Sequence, residues 1–269
     1  MDFFYILNTQ FSFTSQLSLV AGFGLILGSF ASLVSHRLAT RQSIVVARSE
    51  CTKCGAKLKV RNLIPLFSWL FQGGKCDECQ EKISVRYPLI EISFAVAFLI
   101  IYFACGQKFD LRMLLFFLIT TTLFVMSIVD LEHYFIPDST QYFLAALVII
   151  LRIYDGGVNG AVDNIGSALC YTGFGLLMLG FFYFTVGIEA LGIDDVKFFF
   201  IAGLLLGMSN FLFFMMIGGL IGAIFGAIWQ KVRDDATFPF APAICISLYI
   251  CMLFGKKINT VELLGSLIF

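Results

Sequence analysis

Residues 111–129 read LRMLLFFLITTTLFVMSIV, nineteen residues with a single charged side chain at Arg112, and Asp130 follows directly. An α-helix of about 20 apolar residues crosses the hydrocarbon core of a bilayer, so this run is typical of a membrane-spanning helix. The whole chain has a matching composition. Of its 269 residues, 59% are hydrophobic and 13% are charged, and that charge is about half of what a soluble domain carries.

Seven further apolar runs accompany this one. The eight expected segments occupy residues 17–38, 89–105, 111–129, 141–153, 165–188, 196–207, 211–232 and 239–254. Two of them, 141–153 and 196–207, are short for a perpendicular crossing, which tilting or burial by neighbours would accommodate. The sequence therefore predicts an all-α, polytopic membrane protein with about eight transmembrane helices and both termini on the outer side.

Basic residues concentrate in the loop that follows the first segment. Between Arg37 and Arg86 the chain holds ten Lys or Arg and four acidic residues, a net charge of +6, although the whole chain is neutral. By the positive-inside rule this loop faces the cytoplasm. Topology thus accounts for the charge, and no nucleic-acid partner is expected. The predicted domains are residues 1–38 with the first span, a cytoplasmic loop domain at 39–88 and a membrane domain at 89–269.

The same loop carries two cysteine pairs, Cys51-Thr-Lys-Cys54 and Cys76-Asp-Glu-Cys79, separated by 21 residues. Two such pairs suit a tetrahedral four-thiolate zinc site, because each short knuckle presents both sulfur atoms to one ion. Two disulfides are the alternative, and a reducing cytoplasm argues against them. We therefore expect a small zinc-binding loop domain, with a structural Zn²⁺ that leaves no open position for catalysis.

Two short loops on the same predicted face hold six carboxylates. Their sequences are Asp130-Leu-Glu132-His133-Tyr-Phe-Ile136-Pro137-Asp138 and Glu189-Ala-Leu-Gly192-Ile-Asp194-Asp195-Val-Lys197. Ionisable side chains at membrane depth are costly and are functional candidates. Aspartic proteolysis needs such a pair, one carboxylate to take a proton from water and one carboxylic acid to polarise the scissile carbonyl. Asp130 and Asp195 fit this requirement, because each lies where a loop meets a span.

The acids alone leave other interpretations open. Asp138 follows Pro137 and precedes a span, so helix N-capping is favoured for it, and Asp194 and Asp195 occupy a similar position. Ion or proton transport would also use acidic residues at this depth. The carboxylates by themselves therefore do not fix the reaction.

The order of several motifs resembles the family of type IV prepilin peptidases. The residues that carry the resemblance are Gly28-Ser-Phe30, His36-Arg37-Leu38, the paired cysteines, Asn62-Leu-Ile-Pro65, Ser68-Trp69-Leu70, Gly74-Lys75-Cys76, the run Ile83–Glu91, Asp130 with Ile136-Pro137-Asp138, and Gly192-Ile-Asp194-Asp195-Val-Lys197. The last motif departs from the usual Gly-x-Gly-Asp-x-Lys. Asp194 stands at the second glycine, which makes it a rival to Asp195 as the catalyst.

The resemblance implies a membrane aspartic endopeptidase of the bacterial inner membrane. Members cleave the basic leader of prepilin or pseudopilin precursors after a glycine at the cytoplasmic face, and many then methylate the new N-terminus with S-adenosyl-L-methionine. Asp130 and Asp195 are carried over as the catalytic pair. The zinc ligands carried over are Cys51, Cys54, Cys76 and Cys79. The alternatives are a peptidase without methyltransferase activity and a membrane transporter with a zinc-stabilised loop.

Overall fold

The computed structural model describes residues 2–40, 42–43, 49–51, 53–186, 191–233 and 238–255. Within these ranges the chain forms α-helices, two short 3-10 helices and two isolated bridge pairs, so the all-α prediction is confirmed. The helices are α1 Asp2–Thr9, α2 Phe13–Ala39, α3 Phe67–Phe71, α4 Arg86–Ala104, α5 Leu111–His133, α6 Asp138–Val162, α7 Ile165–Val186, α8 Ile193–Leu206, α9 Phe211–Arg233 and α10 Ala241–Phe254. The 3-10 helices are Val60–Leu63 and Met208–Asn210.

Six stretches among the described residues are long and apolar enough to cross a membrane. They are Phe13–Ala39, Arg86–Ala104, Leu111–His133, Asp138–Gly160, Ile165–Thr185 and Met208–Val232. They match six of the eight expected segments and make the chain a multi-pass membrane protein. The other two segments form α8 and α10, of 14 residues each. At 1.5 Å per residue each helix is about 21 Å long, shorter than a hydrocarbon core of about 30 Å. The count of eight spans is therefore not confirmed.

Glycines set both ends of α8. Gly192 precedes the helix in an extended conformation, and Gly207 ends it with a φ of +71°. A φ in this left-handed region strains any residue with a Cβ, so a glycine at this position stops the helix after 14 residues. Asp195 is consequently held in the first turn of a short, sharply bounded helix.

Helix α8 packs alongside α7, and the C-terminal end of α8 lies next to the N-terminal end of α7. The Asn164 side chain, one residue before α7, donates to the carbonyl of Leu204 at 2.9 Å. A Cβ added to Gly203 would lie only 2.7 Å from the Cα of Ala168 in the first turn of α7. The two helices therefore form a close antiparallel pair, and Asp195 lies at the opposite end of α8 from this contact.

The chain divides into two compact units, residues 1–117 and 118–269. In the first unit α2 packs closely on α4. The contact is so close that a Cβ added to Gly24 would lie 2.7 Å from the Cα of Ala95. In the second unit Gly222 of α9 lies against Phe240, just before α10, again with no room for a Cβ. Small residues let helices approach in this way. The domain boundaries expected at residues 38 and 88 stay a prediction.

Candidate active site and metal centre

Asp130 lies in the last turn of α5 and is only 6% exposed. Its Oδ2 accepts a hydrogen bond from the backbone N–H of Ala241 at 2.8 Å. Ala241 is the first residue of α10, where backbone N–H groups have no partner within their own helix. The positive end of α10 therefore faces the carboxylate and stabilises its ionised form. Sequence reasoning missed this contact, since a backbone donor leaves no mark in the sequence.

Asp195 lies in the first turn of α8 and is 9% exposed. Its Oδ2 accepts a hydrogen bond from the backbone N–H of Gly192 at 3.0 Å, which confirms the helix-capping interpretation for this residue. Burial raises the pKa of Asp195 to about 7. The Gly192 N–H opposes this rise, whereas the negative charges of Asp130 and Asp194 add to it. The acid therefore holds its proton to a much higher pH than an ordinary aspartate.

The two buried acids act on each other. The charge of Asp130 contributes to the raised pKa of Asp195, so the structure brings both predicted site residues into one neighbourhood. Cys245 of α10 also experiences the charges of both acids and is buried, with a hydrogen bond to Ser127 of α5. Helices α5 and α10 thus contact each other beside Asp130, and Asp195 of α8 lies close enough for the charge of Asp130 to affect its pKa.

Lys197 joins the start of α6 to the start of α8. Its Nζ donates to Asp138 Oδ1 at 2.7 Å and to Asp194 Oδ1 at 3.0 Å. We call these three residues the lysine clamp. The capping interpretation was wrong for Asp138, because Pro137 precedes the helix and no side chain caps it. It was also wrong for Asp194, whose side chain pairs with Lys197 while the neighbouring Asp195 caps the helix.

Gln141 is a further residue that sequence reasoning missed. Its side chain is 2% exposed, and its Nε2 donates to the backbone carbonyl of Asp194 at 3.1 Å. Its Oε1 is buried without a hydrogen-bond partner among the described residues. A buried amide oxygen with an unused lone pair is costly. The amide N–H of Gln141 supports the backbone beside Asp195.

The remaining predicted acids divide into two cases. Glu132 has a side chain 27% exposed and lies 4.0 Å from the Nε2 of His133. Glu189 lies outside the described residues. Of the six carboxylates, two are therefore buried as the central pair and two are bound by Lys197.

The four paired cysteines form one cluster. Their sulfur atoms all lie within 4.8 Å of one another, and Cys51 Sγ is 3.9 Å from Cys79 Sγ. All four are free thiols, so the two-disulfide alternative is not realised. A tetrahedral ion with Zn–S bonds of about 2.3 Å requires sulfur atoms about 3.8 Å apart, which this separation matches. The donor set and spacing thus fit a metal ion.

Local backbone geometry explains why these sulfur atoms converge. In the first knuckle the Gly55 N–H donates to the Cys51 carbonyl, and in the second the Gln80 N–H donates to the Cys76 carbonyl, at 2.9 and 3.0 Å. Both Gly55 and Gln80 have positive φ. Backbone N–H groups of Lys53 and Cys54 also point at the Cys51 sulfur and lower its pKa to about 7, which favours the thiolate that binds metals.

The second unit has the features that a membrane aspartic peptidase requires, namely two buried, mutually interacting carboxyl groups at the ends of apolar helices. Comparison with known families agrees. Residues 23–105 match the bacterial peptidase A24 N-terminal domain, and residues 114–227 match the type IV leader peptidase family. The chain belongs to the type IV leader peptidase family.

Relatives of similar length support this membership. The chain is 30% identical to the prepilin leader peptidase/N-methyltransferase of Bacillus subtilis, over 90% of this chain and 96% of the relative. It is 29% identical to the protein of the same name in Pseudomonas aeruginosa, over 88% and 89%. It is 30% identical to that of Legionella pneumophila, over 80% and 75%. No solved structure matches the chain significantly.

Proposed function

We propose that this chain is a membrane aspartic endopeptidase. It removes the basic leader of type IV prepilin-like precursors after a glycine, at the cytoplasmic face of the bacterial inner membrane, and then N-methylates the new N-terminal residue. The observation that carries the proposal is the buried pair Asp130 and Asp195, each bound by one backbone N–H, in a chain of this peptidase family. The relatives in Bacillus subtilis and Pseudomonas aeruginosa are named for both activities, which supports both.

The surroundings of the two acids assign their roles. Asp130 faces the N-terminal end of α10 and accepts an N–H from it, so it is the ionised member that acts as general base. Asp195 has a pKa of about 7 because it is buried and has negative neighbours, so it is the protonated member. The pair titrates as a unit, and the environment of each acid decides which of them holds the shared proton.

The reaction follows from these roles. Asp130 takes a proton from water while the hydroxide attacks the carbonyl carbon of the scissile glycine. Asp195 gives its proton to the carbonyl oxygen, so that a neutral tetrahedral adduct forms. Collapse of this adduct breaks the C–N bond as Asp130 delivers its proton to the leaving nitrogen, and Asp195 recovers its proton from the hydroxyl group. Both acids then return to their starting states.

A structural zinc ion is the proposed occupant of the cysteine cluster. Cys51, Cys54, Cys76 and Cys79 would hold it with all four positions filled, which leaves none for substrate. When bound, the ion fixes the fold of the loop, since a small loop of this kind has little core of its own. No step of the cleavage reaction involves it.

S-adenosyl-L-methionine is proposed as the methyl donor from the names of the relatives. The buried polar side-chain atoms that lack a hydrogen-bond partner among the described residues include Ser32 Oγ, Thr120 Oγ1, Gln141 Oε1 and Asn210 Oδ1, each on a different secondary-structure element. The chemistry of these atoms does not single out a cofactor site. We therefore assign no residue to it and derive no step through it.

The basic leader is expected to approach the acidic side of the two loops. Glu132 lies in the same acidic loop with a side chain 27% exposed, outside both the buried pair and the lysine clamp, so we choose it to test this attraction. Charge reversal at Glu132 should raise the KM of a basic-leader substrate, whereas a substrate with a neutral leader should be unaffected. Equal kinetics for wild type and variant on both substrates would contradict this docking hypothesis.

The decisive experiment is a cleavage assay on Asp130→Asn, Asp195→Asn and Asp194→Asn in parallel. The first two should lose about 10²–10⁴-fold in kcat, since each removes a proton-transfer group. The third should cleave within a few-fold of wild type, because Asp194 pairs with Lys197. Normal helical circular dichroism and bound zinc in each variant would exclude misfolding. Full activity of Asp195→Asn would refute the proposal.

Methylation is tested separately on the same cleavage product. Mass spectrometry of its N-terminus, with and without S-adenosylmethionine, should show one added methyl group only when the cofactor is present. A product that never gains a methyl group would leave a peptidase without transferase activity. Conduction or uptake that survives Asp195→Asn, with no cleavage by the wild type, would instead indicate a transporter.

A further inference from the structure

The short helix α3, Phe67–Phe71, is attached to the first turns of the membrane helix α4. The backbone N–H of Leu66, directly before α3, donates to the carboxylate of Glu91 at 2.7 Å. Glu91 is the sixth residue of α4, so it lies about 7 Å along the helix from Arg86. The start of α3 is therefore level with a part of α4 that is already inside the apolar run.

A second hydrogen bond joins α3 itself to the residues just before α4. The indole N–H of Trp69 donates to the carbonyl of Ile83 at 3.2 Å, three residues before α4 begins. The Trp69 ring also covers Gly74, where an added Cβ would lie 2.9 Å from a ring carbon. Because Leu66 and Trp69 are tied to residues 91 and 83, α3 is fixed beside the boundary where the chain enters the membrane.

The free face of α3 is apolar. Phe71 is 88% exposed, and Phe67, Leu70 and the nearby Ile64 are each at least half exposed. At the start of α4, Val85 and Leu89 are exposed to a similar degree. Soluble surfaces rarely present so many large apolar side chains together, and such a patch marks a contact surface. We call the exposed side chains of Ile64, Phe67, Leu70 and Phe71 the α3 patch.

We propose that the α3 patch is an interfacial anchor that inserts into the cytoplasmic leaflet of the membrane that the chain itself spans. The apolar and headgroup layers of a bilayer together measure about 40–45 Å, against a core of about 30 Å, so each interfacial layer is about 5–7 Å thick. The bond from Leu66 to Glu91 holds the start of α3 at about this distance along α4 from Arg86. The net charge of +6 between Arg37 and Arg86 matches the anionic headgroups of such a surface.

The anchor has a mechanical consequence for the cysteine loop. One cysteine knuckle precedes α3 in the chain and the other follows it. An inserted α3 therefore holds the metal site at a defined distance from the bilayer. The loop is then held at the membrane surface and cannot move freely about its connections to α2 and α4. Lipid is therefore the partner of this surface, and the proposal does not depend on the peptidase or transferase reaction.

The test uses tryptophan fluorescence of the full chain in liposomes whose lipids carry bromine atoms, which quench nearby indoles. The parent variant is Trp229→Phe, which leaves Trp69 as the only native indole. A reporter is then added by Phe71→Trp, and a matched control by Glu78→Trp on the second cysteine knuckle, whose side chain is 60% exposed. Because every variant keeps Trp69, each reporter is read as its emission above that of the parent. This difference should fall at least twofold for the position-71 reporter in lipids brominated near the headgroup, and it should not change for the control.

Three results would overturn the proposal. Equal emission of the position-71 reporter in plain and brominated lipid would place α3 in water. Equal quenching of both reporters would mean that the whole loop lies on the bilayer without a specific anchor. Protection of the position-71 reporter from lipid bromine and also from a water-soluble quencher would show that protein covers the patch, either a second copy or a bound substrate.

A second measurement needs no tryptophan reporter, so it is free of any effect that a reporter has on the fold. Amide hydrogen exchange of residues 63–72 should slow several-fold in liposomes that contain anionic lipid, compared with neutral lipid, whereas exchange at the second knuckle should not depend on the lipid. Phe71→Glu should abolish this dependence, and Phe71→Leu should keep it. Exchange at 63–72 that is insensitive to lipid charge and to Phe71→Glu would contradict insertion.

Discussion

Gly203→Ala should slow peptide cleavage, although residue 203 lies eight positions from Asp195 along α8. A Cβ at residue 203 would lie 2.7 Å from the Cα of Ala168 and 2.9 Å from the carbonyl oxygen of Ser167. Both are backbone atoms, so no side chain can rotate away. Restoring an ordinary contact of at least 3.4 Å requires α7 and α8 to separate by about 0.7 Å.

A displacement of that size is enough to affect catalysis. A helix moves as a rigid element, so the shift reaches the first turn of α8, where Asp195 is held by Gly192. Catalytic groups need to be placed to within about 0.5 Å, and a misplacement of about 1 Å costs about 100-fold. We therefore expect kcat to fall by about 10- to 100-fold and the free energy of unfolding to fall by about 1–3 kcal/mol.

The assay is cleavage of a precursor peptide by purified protein in nanodiscs, together with thermal unfolding of the same samples. Gly219→Ala is the matched control, since a Cβ there meets nothing within 4 Å. The control should keep the wild-type kcat and Tm. If Gly203→Ala cleaves at the wild-type rate, the close contact between α7 and α8 does not position Asp195. If both variants are equally impaired, the cause is not the contact at Gly203.

Further predictions concern protonation, the clamp and the metal. Cleavage should decline as pH rises through about 7, because Asp195 then loses the proton that it donates; a rate that is flat to pH 9 would contradict its assigned role. Asp194→Asn should move this decline to lower pH, because the charge of Asp194 raises the pKa of Asp195. Lys197→Met should lower kcat several-fold more than Lys197→Arg, which keeps the bonds to the starts of α6 and α8. Chelation should release one zinc per chain and make residues 49–83 sensitive to protease, while the helical circular dichroism of the spans persists.

The sequence predicted those features whose causes are local. Six spans could be recognised because hydrophobicity over about 20 residues suffices for a crossing. The cysteine cluster could be recognised because a short knuckle places two sulfur atoms together wherever the loop lies. The two 14-residue helices were placed correctly in the chain, and apolar composition alone does not decide whether helices this short cross the membrane. Helix α1 was not expected at all, since the apolar run that follows it dominates this part of the sequence.

The surroundings of the acids could be predicted only in part. Asp130 and Asp195 were chosen because each lies at the junction of a loop and a span, and the structure brings them together. The pairing of Lys197 with Asp194 follows the i, i+3 spacing of a helix and was open to prediction. Its second bond, to Asp138, joins residues 59 positions apart and depends on how α6 and α8 pack. Gln141 gave no sequence signal, because its side chain binds a backbone carbonyl 53 residues away.

Asp194 illustrates how tertiary contacts settle an ambiguity that adjacency in sequence creates. Two neighbouring aspartates are equal candidates when only their order is known. In the structure the Asp194 side chain is 38% exposed and bound to Lys197, whereas Asp195 is buried and bound to Gly192. An aspartate at the family's usual glycine position is tolerated because its side chain turns toward the lysine. The negative charge of Asp194 contributes to the raised pKa of Asp195, so we propose that Asp194 influences the catalytic pair without being a member of it.

The part of the chain beyond the family match also contributes to the proposed site. The match to the type IV leader peptidase family ends at residue 227, yet the N–H that binds Asp130 belongs to Ala241 at the start of α10. Cys245, one turn further along α10, experiences the charges of both acids. Any residue except proline can supply a backbone donor at the first position of a helix, so this contact depends on where α10 begins. The proposed catalytic pair therefore needs this short helix as a structural element, since removal of residues 238–255 would take away the N–H that binds Asp130.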